Sequence, residues 1–253
     1  DKDIKIYGGF AGTETALSSR NIASNPVILS GDLGSNSPTT ITDDCYHVFI
    51  TDGLSSAAVL DGVTITYGNA NGSSSITYSG TTYSRGYGGG MSSYSSSPTL
   101  TNVTISGNTA STNGGGIYNS SSNPTLNNLN IISNSASNGG GIYTNNSLSL
   151  VNCNVLFNSA STNGGGIYNN ASSATTTTLK NSIFFGNGQS SASNRSAAGA
   201  DIYFANAVPV TATNSMMQLA AIGSYTSGTK NQINTSTSNL FAVYPSFMDT
   251  TDL

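Results

Sequence analysis

Four glycine triplets, each followed by a bulky apolar residue, divide the middle of the chain at a nearly constant interval. They begin at Gly88, Gly114, Gly139 and Gly164 and run into Met91, Ile117, Ile142 and Ile167, so the steps are 26, 25 and 25 residues. A period of this size is the signature of stacked repeats, in which each unit buries its apolar face only against its neighbours. The chain is therefore expected to form a solenoid.

The residues between triplets define the unit. Leu100 to Ile105 aligns with Leu126 to Ile131, Leu150 to Val155 and Leu179 to Phe184, and an earlier copy is Leu60 to Ile65. Each block ends in an apolar–polar–apolar alternation such as Val103, Thr104 and Ile105, which is the period of a strand and not of a helix. The polar residue of each alternation is expected to face solvent. Three residues further on stands an asparagine, at Asn108, Asn134, Asn158 and Asn187. Asparagine tolerates left-handed backbone and bonds to nearby backbone groups, and asparagines stacked at one corner bond to each other. The triplets at Gly114, Gly139 and Gly164 permit positive φ and close approach of successive turns.

Beyond each triplet the pairs Ile117-Tyr118, Ile142-Tyr143 and Ile167-Tyr168 place isoleucine inward and tyrosine outward, with Ile202-Tyr203 as a looser copy. Tyr118, Tyr143 and Tyr168 then form a stacked row, interrupted where Ser92 follows Met91. Such a row reads first as a ladder that stabilises consecutive units, and only second as an aromatic binding strip. Pro98 and Pro124 precede equivalent strands, where a missing N–H is tolerated. The fold class is all-β: a single-stranded right-handed parallel β-helix of roughly ten rungs of about 25 residues, with two or three short strands in each.

Composition narrows the function. Only 7% of the 253 residues are charged, the net charge is −4, and the three arginines and four lysines are scattered. No basic patch exists for nucleic acid. No apolar run is long enough for a membrane-spanning helix. Cys45 and Cys153 lie about four rungs apart. At roughly 4.8 Å per rung that exceeds the roughly 7 Å Cα separation a disulfide allows, so both are read as free. Cys153 takes the apolar slot of Val103 and Leu129. The chain opens on alternating Ile4 and Ile6, which reads as mid-domain, so a piece of a longer secreted protein is expected. Within a single β-helix domain 1–253, residues 1–60 are less regular, 60–205 carry the repeats and 206–253 are irregular.

An apolar residue three positions before Asn, coupled to Gly-Gly-Gly-Ile, resembles the paired Phe-x-x-Asn and Gly-Gly-Ala-Ile/Leu motifs of the chlamydial polymorphic outer-membrane proteins. Phe184-Phe185-Gly186-Asn187 fits the first motif literally. The wider resemblance is to secreted right-handed β-helix repeat proteins of Bacteroidota. Ile6 to Glu14 is similar to the opening segment of such domains, and Tyr244 to Asp249 to their closing one. The resemblance implies an extracellular or cell-surface location, and says little about activity.

Chemistry is sparse. Residues 86–200 contain no acid at all, which removes the central rungs as a site for the paired carboxylates of a glycosidase. Asp43, Asp44 and Asp52 are weak calcium candidates, since calcium takes oxygen ligands, but such aspartates commonly serve turns. No cofactor is expected. His47, the single histidine, lies in a plausible strand, Tyr46 to Ile50, and reads as structural.

The sharper clue is where the repeat is interrupted. From the corner asparagine to the glycine triplet the regular units span 5 or 6 residues, but Asn69 to Gly88 spans 19 and Asn187 to Gly199 spans 12. Insertions in solenoids map to one face, often the binding face. The first, loop 70–87, carries Tyr78, Tyr83, Arg85 and Tyr87, residue types favoured at contact sites. The expected function is a non-catalytic, adhesin-like or structural surface module that engages glycans or other cell-surface proteins. The alternative is a polysaccharide lyase or glycoside hydrolase of the β-helix type.

Overall fold

The computed structural model describes residues 3–34, 44–172, 174–189, 201–206 and 208–217, together with the backbone of short strands at 222–223 and 240–241. The expected parallel β-helix is what these residues form. One coil runs through strands Met91–Tyr94, Thr99–Thr101, Thr104–Ser106 and Thr109–Ala110, and the next coil begins at Ile117–Ser120. Each strand pairs in parallel with its equivalent one coil away.

Four sheets result. A leucine sheet of seven strands stacks Leu60, Leu100, Leu126, Leu150 and Leu179 in register. An isoleucine sheet of eight stacks Ile65, Ile105, Ile131, Val155 and Phe184. A tyrosine sheet of seven stacks Met91, Ile117, Ile142, Ile167 and Ile202. The fourth, of five very short strands around Ala70, Ala110, Ala136 and Ala160, adds a side that the sequence pattern does not reveal. The sheets hold fewer strands among the described residues than dividing length by period suggests. The reason is that the first coils are longer: Ile6 pairs with Leu60 and Leu60 with Leu100, 54 and 40 residues apart, against 26 between Leu100 and Leu126.

The core is one continuous cluster of these inward side chains, most of them fully buried. Burying each Leu, Ile or Phe contributes roughly 1.5–3 kcal/mol. Cys153 sits in this core in the slot of Val103 and Leu129, and both cysteines are free. Thr99 and Thr125 start strands directly after Pro98 and Pro124.

The corner asparagines lie inside the coil, not on it. Asn108, Asn134, Asn158 and Asn187 are fully buried. Asn108 Nδ2 donates to Asn134 Oδ1, Asn134 Nδ2 to Asn158 Oδ1 and Asn158 Nδ2 to Asn187 Oδ1, each at 3.0 Å. Each Oδ1 also accepts a backbone N–H from the preceding coil, and each Nδ2 also donates to a backbone carbonyl such as Ile105 O, so the Oδ1 atoms of Asn134, Asn158 and Asn187 each accept two hydrogen bonds. The left-handed backbone falls one residue earlier, on Tyr67, Gly107, Ser133, Phe157 and Gly186.

A second asparagine row, absent from the sequence reading, turns the corner between the leucine and isoleucine sheets. Asn102, Asn128, Asn152 and Asn181 all have φ near +50° there, where Gly62 stands in an earlier coil. Their side chains link outside the coil: Asn128 donates to Asn102, Asn102 Nδ2 to Asp61 Oδ1 at 2.8 Å, and Asn181 Nδ2 to Asn152 Oδ1 at 3.0 Å. Asp61 is in turn ion-paired with Arg20, whose guanidinium also stacks over Tyr7.

The glycine triplets pack against the inner asparagines. The first residue of each has positive φ, as at Gly114 (+65°). The next two are excluded from carrying side chains by distance: a Cβ on Gly115 lies 2.3 Å from Ser135 O, and one on Gly116 lies 2.7 Å from Gly141 O and 3.2 Å from the Asn134 amide.

Candidate functional site

The first insertion folds into a β-hairpin, the one antiparallel pair among the described strands. Ser75–Tyr78 pairs with Thr81–Ser84, placing Ile76 opposite Tyr83 and Tyr78 opposite Thr81. The two turn residues, Ser79 (φ +49°) and Gly80 (φ +86°), are both left-handed, the geometry that matches the natural twist of a tight hairpin.

The hairpin leans on the tyrosine sheet and is fastened there by Asp52. The Tyr83 hydroxyl donates to Asp52 Oδ2 at 2.7 Å, and Thr81 Oγ1 donates to the same oxygen at 2.9 Å. The Tyr83 ring meets Tyr94 edge-on, with centroids 4.9 Å apart at 79°. The Ser84 N–H donates to the Tyr94 hydroxyl at 3.2 Å. Strand register explains the meeting: Asp52, Tyr94 and Ser120 stack in one outward column, beside the column of Ile50, Ser92 and Tyr118.

The outward tyrosines do stack. Tyr118 to Tyr143, Tyr143 to Tyr168 and Tyr168 to Tyr203 have centroid separations of 5.2, 5.3 and 5.2 Å and interplanar angles of 21°, 8° and 15°. Each ring covers its neighbour's face, so Tyr118 and Tyr143 are 8% and 9% exposed although they sit on the outside of the coil. Burial pushes the Tyr118 hydroxyl pKa up to about 12 and raises those of Tyr143 and Tyr168. The gap at Ser92 is covered by Tyr87 from the insertion, tilted 38° against Tyr118 at 4.8 Å, and by Tyr94 of the neighbouring column, which leans on the same ring at 5.8 Å.

Between hairpin and ladder runs a groove of about 500 Å³, within the size range of small-ligand clefts. Tyr87, Tyr94 and Tyr118 line it on the ladder side, and Ser75, Thr82 and Ser84 on the hairpin side. Ser120 and Thr81 close it, and none of its lining residues is charged.

The structure distributes the sequence candidates unevenly. Tyr87 lines the groove. Tyr83 is buried as the strut that holds the hairpin. Tyr78 is 74% exposed near the hairpin tip. Arg85 turns to the other side, stacking 5.4 Å over Tyr46 and donating to Ser74 Oγ at 3.1 Å. Of the calcium candidates, Asp43 lies outside the described residues, Asp44 is half-buried, and Asp52 is committed to two hydroxyls. Among the described residues no three His, Cys, Asp or Glu form a metal-holding group. His47 lies just before strand Phe49–Asp52 and bonds through Nδ1 to Gly88 O at 2.9 Å. Ser75, Thr81, Thr82, Ser84, Tyr94 and Ser120 are groove residues that sequence reasoning missed. The signal was available, because residues 75–84 alternate on either side of a Ser-Gly pair, a hairpin pattern.

A second cleft, between Ile4 and Ile6 on one side and Phe49 and Ile50 on the other, is mostly apolar, with Thr51 and Asp52 as its polar lining, and opens into the core at Leu60, Met91 and Leu100. It is the mouth of the first coil and offers few polar groups to orient a ligand. Comparison of the chain with protein-family models, with curated proteins and with solved structures found nothing that matches.

Proposed function

We propose that this chain is a non-catalytic recognition module of a secreted or cell-surface protein, adhesin-like, that engages glycans or other surface partners at the groove between hairpin 75–84 and the tyrosine ladder. One observation carries the reading. From Met91 to Tyr168 the coil repeats with little change, yet at its entrance a hairpin is built out, latched to Asp52, and made to frame tyrosine rings and hydroxyls. Convergent polar groups beside aromatic rings are what binding clefts supply. The motif resemblance to surface-displayed repeat proteins supports the same location.

The test is binding to a glycan array and to fixed cells by the wild type and by a variant in which 73–85 is replaced by a short turn. The neighbouring coils cross the same corner in far fewer residues, so the shortened coil has a template. Loss of binding with an unchanged melting curve supports the proposal. Binding that survives the replacement sinks it.

A further inference from the structure

The lining of the groove narrows its ligand to one chemical class. We infer, resting on the reading above, that the groove accepts an uncharged oligosaccharide and rejects anionic ones. The residues that carry the discrimination are Tyr87, Tyr94 and Tyr118 with the hydroxyls of Thr82, Ser84 and Ser120.

Three observations lead there. First, the groove's polar groups are nearly all hydroxyls, from Ser75, Thr81, Thr82, Ser84 and Ser120 besides the three tyrosines. A hydroxyl is at once one donor and two acceptors. A sugar hydroxyl has the same valence, so the two sets interlock into cooperative chains without either side needing a fixed charge.

Second, charge is arranged against anions. No lysine or arginine lines the groove; Arg85 is held against Tyr46 and Ser74. The carboxylate of Asp52 is bonded to the Oγ1 of Thr81, itself a lining residue. A uronate or sulfate that sheds water in the groove finds no cation among the lining residues, and the carboxylate of Asp52 stands behind Thr81, a combination that costs more than a neutral group's desolvation. The Tyr118 hydroxyl stays neutral too, since burial pushes its pKa up to about 12.

Third, the rings present edges more than faces. Tyr94 and Tyr118 are 9% and 8% exposed, because Tyr83, Tyr87 and Tyr143 cover their faces. A proline-rich helix needs open parallel aromatic ridges to dock, whereas a polyol uses the hydroxyl-bearing edges.

The experiment is a calorimetric titration of the whole chain with four probes: linear hexasaccharides of neutral β-linked glucose or mannose, a hexamer of galacturonate, a sulfated heparin hexasaccharide, and decaproline. The expected result is binding of a neutral hexasaccharide that changes by less than about twofold between low and high salt, and that weakens roughly tenfold in Thr82→Val combined with Tyr87→Phe. Both substitutions keep shape while removing hydroxyls, and a matching melting curve confirms that the fold is retained. Binding of galacturonate or heparin overturns the inference and leaves the groove as the recognition site. Binding of decaproline also overturns it. Binding of a neutral hexasaccharide that the double variant leaves unchanged overturns the assignment of residues. Silence of all four probes, with glycan-array and cell binding abolished by hairpin replacement, overturns the neutral-sugar class alone; silence in every assay removes the proposed function with it.

Discussion

Asn187 Nδ2 donates to Asp201 Oδ1 at 2.9 Å, and that bond ends a one-way chain of buried amides. Every link from Asn108 onward points its N–H towards the C-terminal end, and the last acceptor is a carboxylate. The outer row is polarised the opposite way. Asn128 donates to Asn102 and Asn102 to Asp61, so these links end on a carboxylate near the N-terminus, neutralised by Arg20, while Asn152 donates to Asn127 beside the row. Aligned hydrogen bonds polarise one another, and a charged terminal acceptor strengthens the chain.

Interrupting the inner chain is therefore costly. Asn158→Ala removes the acceptor of both Asn134 N–H groups and the donor to Ile131 O. The expected loss is about 2–4 kcal/mol, because buried partners are left unpaired. Urea unfolding followed by circular dichroism measures it. A loss below about 0.5 kcal/mol would show that stacked coils hold register without the amides.

Glycines differ in why they are glycine. Gly115→Ala drives a Cβ to within 2.3 Å of a backbone carbonyl, so a loss of more than about 2 kcal/mol or failure to fold is expected. Gly107 has φ +65° but open space around its Cβ, with Thr66 Oγ1 the nearest atom at 3.5 Å. Asparagine adopts that backbone readily, so Gly107→Asn is expected to stay within about 0.5 kcal/mol. Equal melting temperatures for the two variants would contradict the steric account.

The tyrosine ladder predicts an alkaline weakness. A tyrosine titrates near 10 when unfolded, while burial lifts Tyr118 to about 12 in the fold and raises Tyr143 and Tyr168. The raised folded pKa means this stabilisation is complete below about pH 10 and is lost as pH climbs towards 12. Absorbance titration of tyrosinate is expected to show a late step coincident with loss of the β signal. A single ionisation step with the fold intact would refute it.

Asp52 is expected to govern the hairpin and not the coil. Asp52→Ala deletes the acceptor of both Tyr83 and Thr81. Amide exchange across 75–84 is expected to accelerate roughly tenfold or more, with protection in the leucine sheet unchanged. Uniform acceleration everywhere would place Asp52 in the core of stability instead.

Much of the coil is legible because its constraints repeat. The triplets set the phase, and the alternation at Val103 to Ile105 set which side chains point inward. The inner asparagine row was also accessible, since one residue type recurred at one offset. The outer row at Asn102, Asn128, Asn152 and Asn181 was hidden because those asparagines sit inside blocks that read as continuous strand, and only their left-handed φ marks the corner. The groove was harder for the opposite reason. Tyr83, Tyr87 and Tyr94 occur once each, and their meeting depends on how a 19-residue excursion folds back, which no period encodes. Tyrosine content marked the segment that forms the hairpin but could not tell the strut, Tyr83, from the lining residue, Tyr87.

The opposed polarity of the two asparagine rows makes length a free variable. Their terminal carboxylates, Asp201 and Asp61, stand outside the run of interchangeable coils between Gly114 and Ile167. Duplicating one such unit lengthens the inner row by a single link, leaves both terminal carboxylates as they are, and keeps the hairpin beside the same first coils. The molecule thus behaves as a telescoping mast: the number of middle coils sets how far apart its two ends stand, while the head that carries the groove stays the same.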